Sequence, residues 1–170
     1  ASHLNISIDE KKKNPKVEMG LRVLNVANRL YKKISQERSP APFKDFIKKR
    51  SLTEQTVDDF QIAYAPSGNV LLQYLETIPP SEREMAIQIS EQIGIIRKGA
   101  NGKYDFFRDR ITFPIWDISG KVRGFSTRAV KDDQMPKYLN SGESFVFDKK
   151  NILYGLNFAK RFIKENDKAI

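Results

Sequence analysis

A chain of 170 residues with 39% apolar and 11% aromatic side chains is long enough to bury its own core, and such a composition excludes wholesale disorder. It has no cysteine and one histidine, His3, which excludes disulfide staples, thiolate zinc sites and a histidine-based catalytic triad within these residues. Lys plus Arg number 30 against 21 Asp plus Glu, a formal charge of +9 that favours a polyanionic partner such as nucleic acid; a merely solvated basic surface is the competing account.

Lys11-Lys12-Lys13-Asn14-Pro15 reads as a solvated connector. From there Val17, Leu21, Leu24, Ala27, Tyr31 and Ile34 recur at spacings of three and four, which predicts one helix over residues 17–37 with that stripe in the core. Ser39-Pro40-Ala41-Pro42 ends it. Phe43, Phe46 and Ile47 give the apolar side of a short helix whose Lys44, Lys48, Lys49 and Arg50 also suit a helix C-terminus. Thr53 caps a further short helix through Val57 and Phe60. Ile62 and Tyr64 alternate in an extended piece or turn that Pro66-Ser67-Gly68 closes. A helix over 69–77 stops at Pro79-Pro80. The next has Ser81 and Glu84 as a capping box, Met85, Ile89 and Ile93 as its stripe and Gly94 as its terminator.

After Gly99-Ala100-Asn101-Gly102 the pattern changes to strands over 104–107, 111–116 and 121–130, the last two joined by Asp117-Ile118-Ser119-Gly120. Pro114 requires an edge position or a bulge. Leu156, Phe158, Ala159, Phe162 and Ile163 predict a last helix over 153–166. The fold class is therefore α+β: a helical N-terminal half, then a small, mostly antiparallel sheet and a C-terminal helix. No apolar run approaches bilayer length and residues 1–10 lack a secretory pattern, so a cytoplasmic protein with no membrane segment is expected.

In the strand-rich half, Arg108, Arg110, Arg123, Arg128, Lys137 and Lys149 are interleaved with Phe107, Phe113, Phe125, Tyr138 and Phe147. Cations for phosphates beside rings that stack on bases are the physical basis of single-strand binding, although most rings in strands belong to cores. Strand alternation places Arg108 and Arg110 on one face, where two guanidinium forks grip adjacent phosphates or pair with Asp105 or Asp109. The pairs Asp58-Asp59 and Asp132-Asp133 point in opposite directions on regular elements and make poor metal sites, so neither metal ligands nor catalytic residues are assigned in this chain.

Phe107-Arg108-Asp109-Arg110-Ile111-Thr112-Phe113-Pro114-Ile115, Gly124-Phe125-Ser126-Thr127-Arg128, Pro136-Lys137-Tyr138-Leu139-Asn140-Ser141, Phe147-Asp148-Lys149 and Leu153-Tyr154-Gly155-Leu156 follow one another in order. With Arg50-Ser51-Leu52 and Phe60-Gln61-Ile62-Ala63-Tyr64-Ala65-Pro66 upstream, they resemble the bacterial DNA primase (DnaG) family over residues 46–156. The resemblance implies the N-terminal subdomain of that family's RNA-polymerising core. Residues 16–165 would form the subdomain, 1–15 a linker or the end of a preceding region, and 166–170 the start of the connection to a Toprim domain. It further implies a part in synthesising short RNA primers on single-stranded DNA at the replication fork. The partners would be template, nucleoside triphosphates and RNA primer, with the replicative helicase reached through a C-terminal domain. Magnesium would belong to the Toprim domain and zinc to a zinc ribbon, with no cofactor in this stretch, which alone is expected not to polymerise.

Carried over motif by motif, Arg50, Arg128, Lys137 and Lys149 lie nearest template or nucleotide, Arg108 and Arg110 line the same groove, and Ser126, Thr127, Tyr138 and Asn140 are candidate phosphate contacts. The family usually has glycine where Ser126-Thr127 and Ser51 stand; hydroxyls there can donate hydrogen bonds to phosphate in place of close backbone approach. A non-catalytic single-stranded nucleic-acid-binding module is the alternative reading.

Overall fold

The computed structural model describes residues 14–38 and 40–168; His3 and the lysines of the 11–13 connector lie outside the described residues. The longest helix, α1 (Pro15–Arg38), buries Val23, Leu24, Ala27, Tyr31 and Ile34, the stripe set by the three-and-four spacing. Two short helices follow, α2 (Ala41–Lys49), opened by Pro40 at its N-cap, and α3 (Glu54–Asp59), where the Thr53 hydroxyl accepts from the Thr56 amide at 3.1 Å. Both end in a left-handed residue, Ser51 and Gln61, and both close as Schellman motifs. In the first, the Ser51 and Leu52 amides donate to the Lys48 and Ile47 carbonyls; in the second, Gln61 and Ile62 donate to Asp58 and Val57.

Strand β1 (Ala63–Ala65) leads to α4 (Val70–Thr77), α5 (Pro80–Gln92) and the hairpin β2 (Ile96–Gly99) and β3 (Gly102–Asp105). The capping box expected at Ser81 and Glu84 does not form. Pro80 opens α5 with Pro79 as N-cap, and proline at the first helical position needs no side-chain acceptor. Nor does Asn69 cap α4. Its carboxylate cap comes from across the fold, where Asp105, fully buried at the end of β3, accepts from the Leu71 and Leu72 amides at 2.7 and 2.9 Å.

The chain then builds β4 (Arg110–Trp116), β5 (Val122–Ala129) and β6 (Tyr138–Asn140), giving an antiparallel sheet of order β1-β4-β5-β6. The helices, the antiparallel sheet and a final helix, α6 (Leu156–Asn166), bear out the α+β reading. The expected strand over 104–107 is instead β3, which stops at Asp105, and its partner β2 carries no alternation that would reveal it. Pro114 meets the edge condition: β1 pairs with β4 only from Arg110 to Thr112, so Pro114 faces an unpaired edge, and the register shift lies just beyond it at Ile115/Trp116.

The sheet has two dressed faces. On one, α1 packs Tyr31 edge-on to Phe125, with ring centroids 5.9 Å apart, inside a cluster that includes Leu71, Ile89, Ile96 and Phe107. On the other, α2 and α3 cover only one end, where Phe43, Ile62, Tyr64 and Ile111 form a smaller cluster with Phe46, Phe60 and Phe113 around it. Beyond that end, Phe158 of α6 packs on Phe60, and Ile152 and Tyr154 wall a hollow over Phe113, Ile115 and Ser126, so the face is only partly open.

Candidate nucleic-acid interface

Alternation along β5 sends Phe125, Thr127 and Ala129 to the α1 face and Ser126 and Arg128 to the partly open face. Across the ladder, Arg128 pairs with Tyr138 and Ser126 with Asn140, so these four side chains stand on the same face in two rungs. The Ser126 hydroxyl donates to Asn140 Oδ1 at 2.9 Å, which turns the Asn140 amide donors outward. The Arg128 guanidinium lies between two rings, 5.9 Å from the Phe46 centroid and 5.6 Å from that of Tyr138.

Arg50 reaches this face from the C-cap of α2, and Lys137 from the loop that enters β6, where the Lys137 carbonyl accepts from the Ala129 amide at 2.8 Å. Arg50, Arg128 and Lys137, distant in sequence, thereby line one hollow of about 330 Å³ together with Phe46, Lys49 and Lys131. Five cations line it against the carboxylates of Asp45 and Asp132. Lys149 does not join them. It lines a neighbouring hollow of about 480 Å³, with Ser126, Asn140 and the rings of Phe113, Phe147 and Tyr154. Ser126 and Arg128, two residues apart on β5, connect the two.

Three of the expected residues stand elsewhere. Thr127 is fully buried on the α1 face, and its one hydroxyl proton is donated to the Leu139 carbonyl at 2.6 Å, so it has no donor to offer a phosphate. Arg110 shares the α1-covered side of β4 with Thr112 and is 3% exposed. Burial lowers its affinity for a proton, and it does not line the groove. Arg108 precedes β4 rather than lying on it, because Asp109 takes a positive φ of 57° and breaks the strand alternation; the two arginines are therefore not a same-face pair. The Arg108 guanidinium stacks on Tyr104, 4.6 Å from the ring centroid. Burial raises the Asp105 carboxyl above its ordinary range, against the opposing pull of the Leu71 and Leu72 amides and of the Arg108 charge.

The residues that sequence reasoning missed are those behind the groove. Lys131 was not singled out, yet it lines the groove and bridges to Asp109 at 3.0 Å. The Asp109 carboxylate also accepts the hydroxyl of Tyr64. Burial would raise the Asp109 carboxyl, but the Tyr64 hydroxyl and the Lys131 ammonium outweigh it and hold the group below its ordinary range. The Tyr64 phenol is pushed well above its ordinary value, first by burial and then by the same carboxylate. At the far end of the sheet, burial of Asp117 is likewise outweighed, by the Ser119 hydroxyl, the Lys121 amide and the Arg123 guanidinium, which bring its carboxyl down to about 2. That network fixes the β4–β5 turn, far from the basic groove.

These features define a class: an α+β domain with a basic, ring-flanked groove on the partly open face of an antiparallel sheet, able to hold phosphates and stack bases. Residues 30–160 match the family described as DNA primase catalytic core, N-terminal domain, and the chain belongs to that family. It is 34% identical over 151 residues to the DNA primase of Synechococcus elongatus, covering 87% of this chain and 21% of that protein. It is 36% identical over 166 residues to that of Clostridium acetobutylicum, covering 94% of this chain and 26% of that one.

Among solved structures, a DnaG primase catalytic domain bound to single-stranded DNA superposes with a TM-score of 0.77 at 29% identity, over 91% of this chain and 47% of that one. The RNA polymerase domain of Mycobacterium tuberculosis primase DnaG, in complex with a double-stranded DNA oligomer bearing a 6-nucleotide overhang, gives 0.79 at 27% identity, over 89% and 47%. The chain thus spans about a fifth to a quarter of the curated relatives and a little under half of these solved domains.

Proposed function

We propose that this chain is the part of a cytoplasmic bacterial DNA primase that holds single-stranded template and nucleotide phosphates during primer synthesis, with residues 16–165 acting as one subdomain. The observation that carries this reading is the convergence of Arg50, Arg128 and Lys137, from α2, β5 and the β5–β6 loop, on one basic groove beside Phe46 and Tyr138. A relative with this fold has been solved with single-stranded DNA bound, which supports the same class of ligand here. Arg50, Arg128 and Lys137 grip phosphates, Tyr138 offers a stacking face, and Asn140, Ser126 and Lys149 address the next nucleotide along. Nucleoside triphosphates and the RNA primer meet this surface, and the helicase docks through another part of the parent protein.

Magnesium and zinc, implied for the parent, do not fit this site. Among the described residues there is no group of three or more His, Cys, Asp or Glu able to hold a metal ion. The contribution proposed for these residues is binding and orientation of template and nucleotide.

The test is fluorescence anisotropy of a labelled single-stranded oligonucleotide over a salt series. Lys137→Ala and Arg128→Ala should each weaken binding about tenfold and lower the salt slope by about 1, the signature of a lost phosphate contact. Binding that ignores both substitutions and is indifferent to salt refutes the groove.

A further inference from the structure

The loop of residues 130–137 carries two of the groove's cations, Lys131 and Lys137, and connects β5 to the short β6. Besides that ladder and the packing of Val130 on the smaller core cluster, it is tied to the neighbouring 108–109 turn: Gln134 Nε2 donates to the Arg108 carbonyl at 3.1 Å, and Lys131 Nζ bridges Asp109 at 3.0 Å. Asp109 is itself fixed from behind. Its left-handed backbone aims the carboxylate back toward β1, where the hydroxyl of Tyr64, packed in the smaller core cluster, donates to it. The Asp109 side chain is 19% exposed and that of Lys131 66%, so a mostly buried acid holds a mostly solvated base at the groove wall.

An acidic residue behind a polyanion site costs Coulomb attraction unless it does something else. We propose that Asp109, braced by Tyr64, is a positioning residue for the groove: it holds Lys131, and with it the loop bearing Lys137, where both ammonium groups face one ligand. The inference rests on the phosphate-binding reading of the groove. Tyr64 and Asp109 touch no ligand; they act through Lys131.

Sign separates this role from plain electrostatics. Asp109→Asn makes the molecule more positive, so a carboxylate that only opposed the ligand would tighten oligonucleotide binding when lost. Positioning requires the reverse. In the anisotropy assay on the full 170-residue chain, Asp109→Asn and Tyr64→Phe should each weaken single-strand binding about fivefold, the factor commanded by an ion pair at a half-exposed site, and lower the salt slope. In a Lys131→Gln background both effects should vanish, a non-additivity that general destabilisation does not produce. Asparagine tolerates the left-handed backbone at this position, and Tyr64→Phe removes one oxygen from a packed ring, so either variant serves if the other fails to fold. Tighter or unchanged binding in the folded variants, or full additivity with Lys131→Gln, overturns the proposal while leaving the groove intact. Failure of the unsubstituted chain to bind overturns both readings.

Discussion

Ser51 occupies the left-handed region at φ 50°, one residue beyond Arg50, where it closes the Schellman motif of α2. A side chain there costs about 1–2 kcal/mol of backbone strain, and glycine returns part of that gain through its greater freedom when unfolded. Ser51→Gly should therefore stabilise the chain by about 0.5–1 kcal/mol in urea unfolding without loosening the groove, since both amide bonds of the motif remain. Asp117 gives a prediction in pH. Its carboxyl lies near 2 in the folded chain against an ordinary 3.8, so it stabilises the fold fully above about pH 4. That stability, on the order of 2 kcal/mol at this mostly buried site, is lost as pH falls from about 4 towards 2. Asp117→Asn should flatten the stability curve in that window and leave its slope at neutral pH unchanged, as measured by denaturation across a pH series. Other single residues were illegible in sequence for a related reason. Thr127 stands where the family usually has glycine, which suggests a hydroxyl donor to phosphate, but only the pairing of β5 with β6 shows that it faces Leu139 and the core.

Elements with strong periodicity could be read directly: α1 and α5 follow from their apolar spacing, and β4 and β5 from alternation and their turn. The missed features were set by partners distant in sequence or by one backbone angle. Alternation carried through Asp109 paired Arg108 with Arg110, whereas its positive φ restarts the strand at Arg110. The three-residue β6 is too short to show a period and exists because β5 offers it an edge. The clearest case is α4, whose N-terminal amides are satisfied by Asp105 from across the fold. Loss of an N-cap costs about 1 kcal/mol, and each buried amide left without an acceptor about 1–3 more. Asp105→Ala should therefore destabilise the chain by about 3 kcal/mol in urea unfolding, and Asp105→Asn, which keeps one acceptor, by less. Equal losses would mean that the carboxylate charge rather than the cap matters.

At the scale of the whole molecule, the groove joins a firmly built half to a lightly built one. Arg128 stands on β5, whose other face is sealed by α1 and the larger core cluster; Arg50 stands at the end of α2, which is held by a cluster of only four buried side chains. Helices of nine and six residues have no stability of their own, so α2 and α3 persist through that small cluster and the residues packed around it, with the Phe60 ring against Phe158 of α6 and the Lys32–Asp58 ion pair to α1 as further ties. Opening of that flap breaks few contacts, whereas opening of β4 or β5 breaks the sheet and both clusters. Native-state hydrogen exchange should accordingly show the amides of α2 and α3 exchanging at least about tenfold faster than those at the centre of β4 and β5. A phosphate chain gripped by Arg50 and Arg128 together bridges the two halves, and any ligand that binds only the closed form stabilises it by mass action. Saturating single-stranded oligonucleotide should therefore slow exchange selectively in α2 and α3 and leave the sheet centre nearly unchanged. Uniform protection, or protection confined to β5 and β6, would mean that Arg50 does not share the ligand with Arg128, and the grip would then belong to the sheet alone.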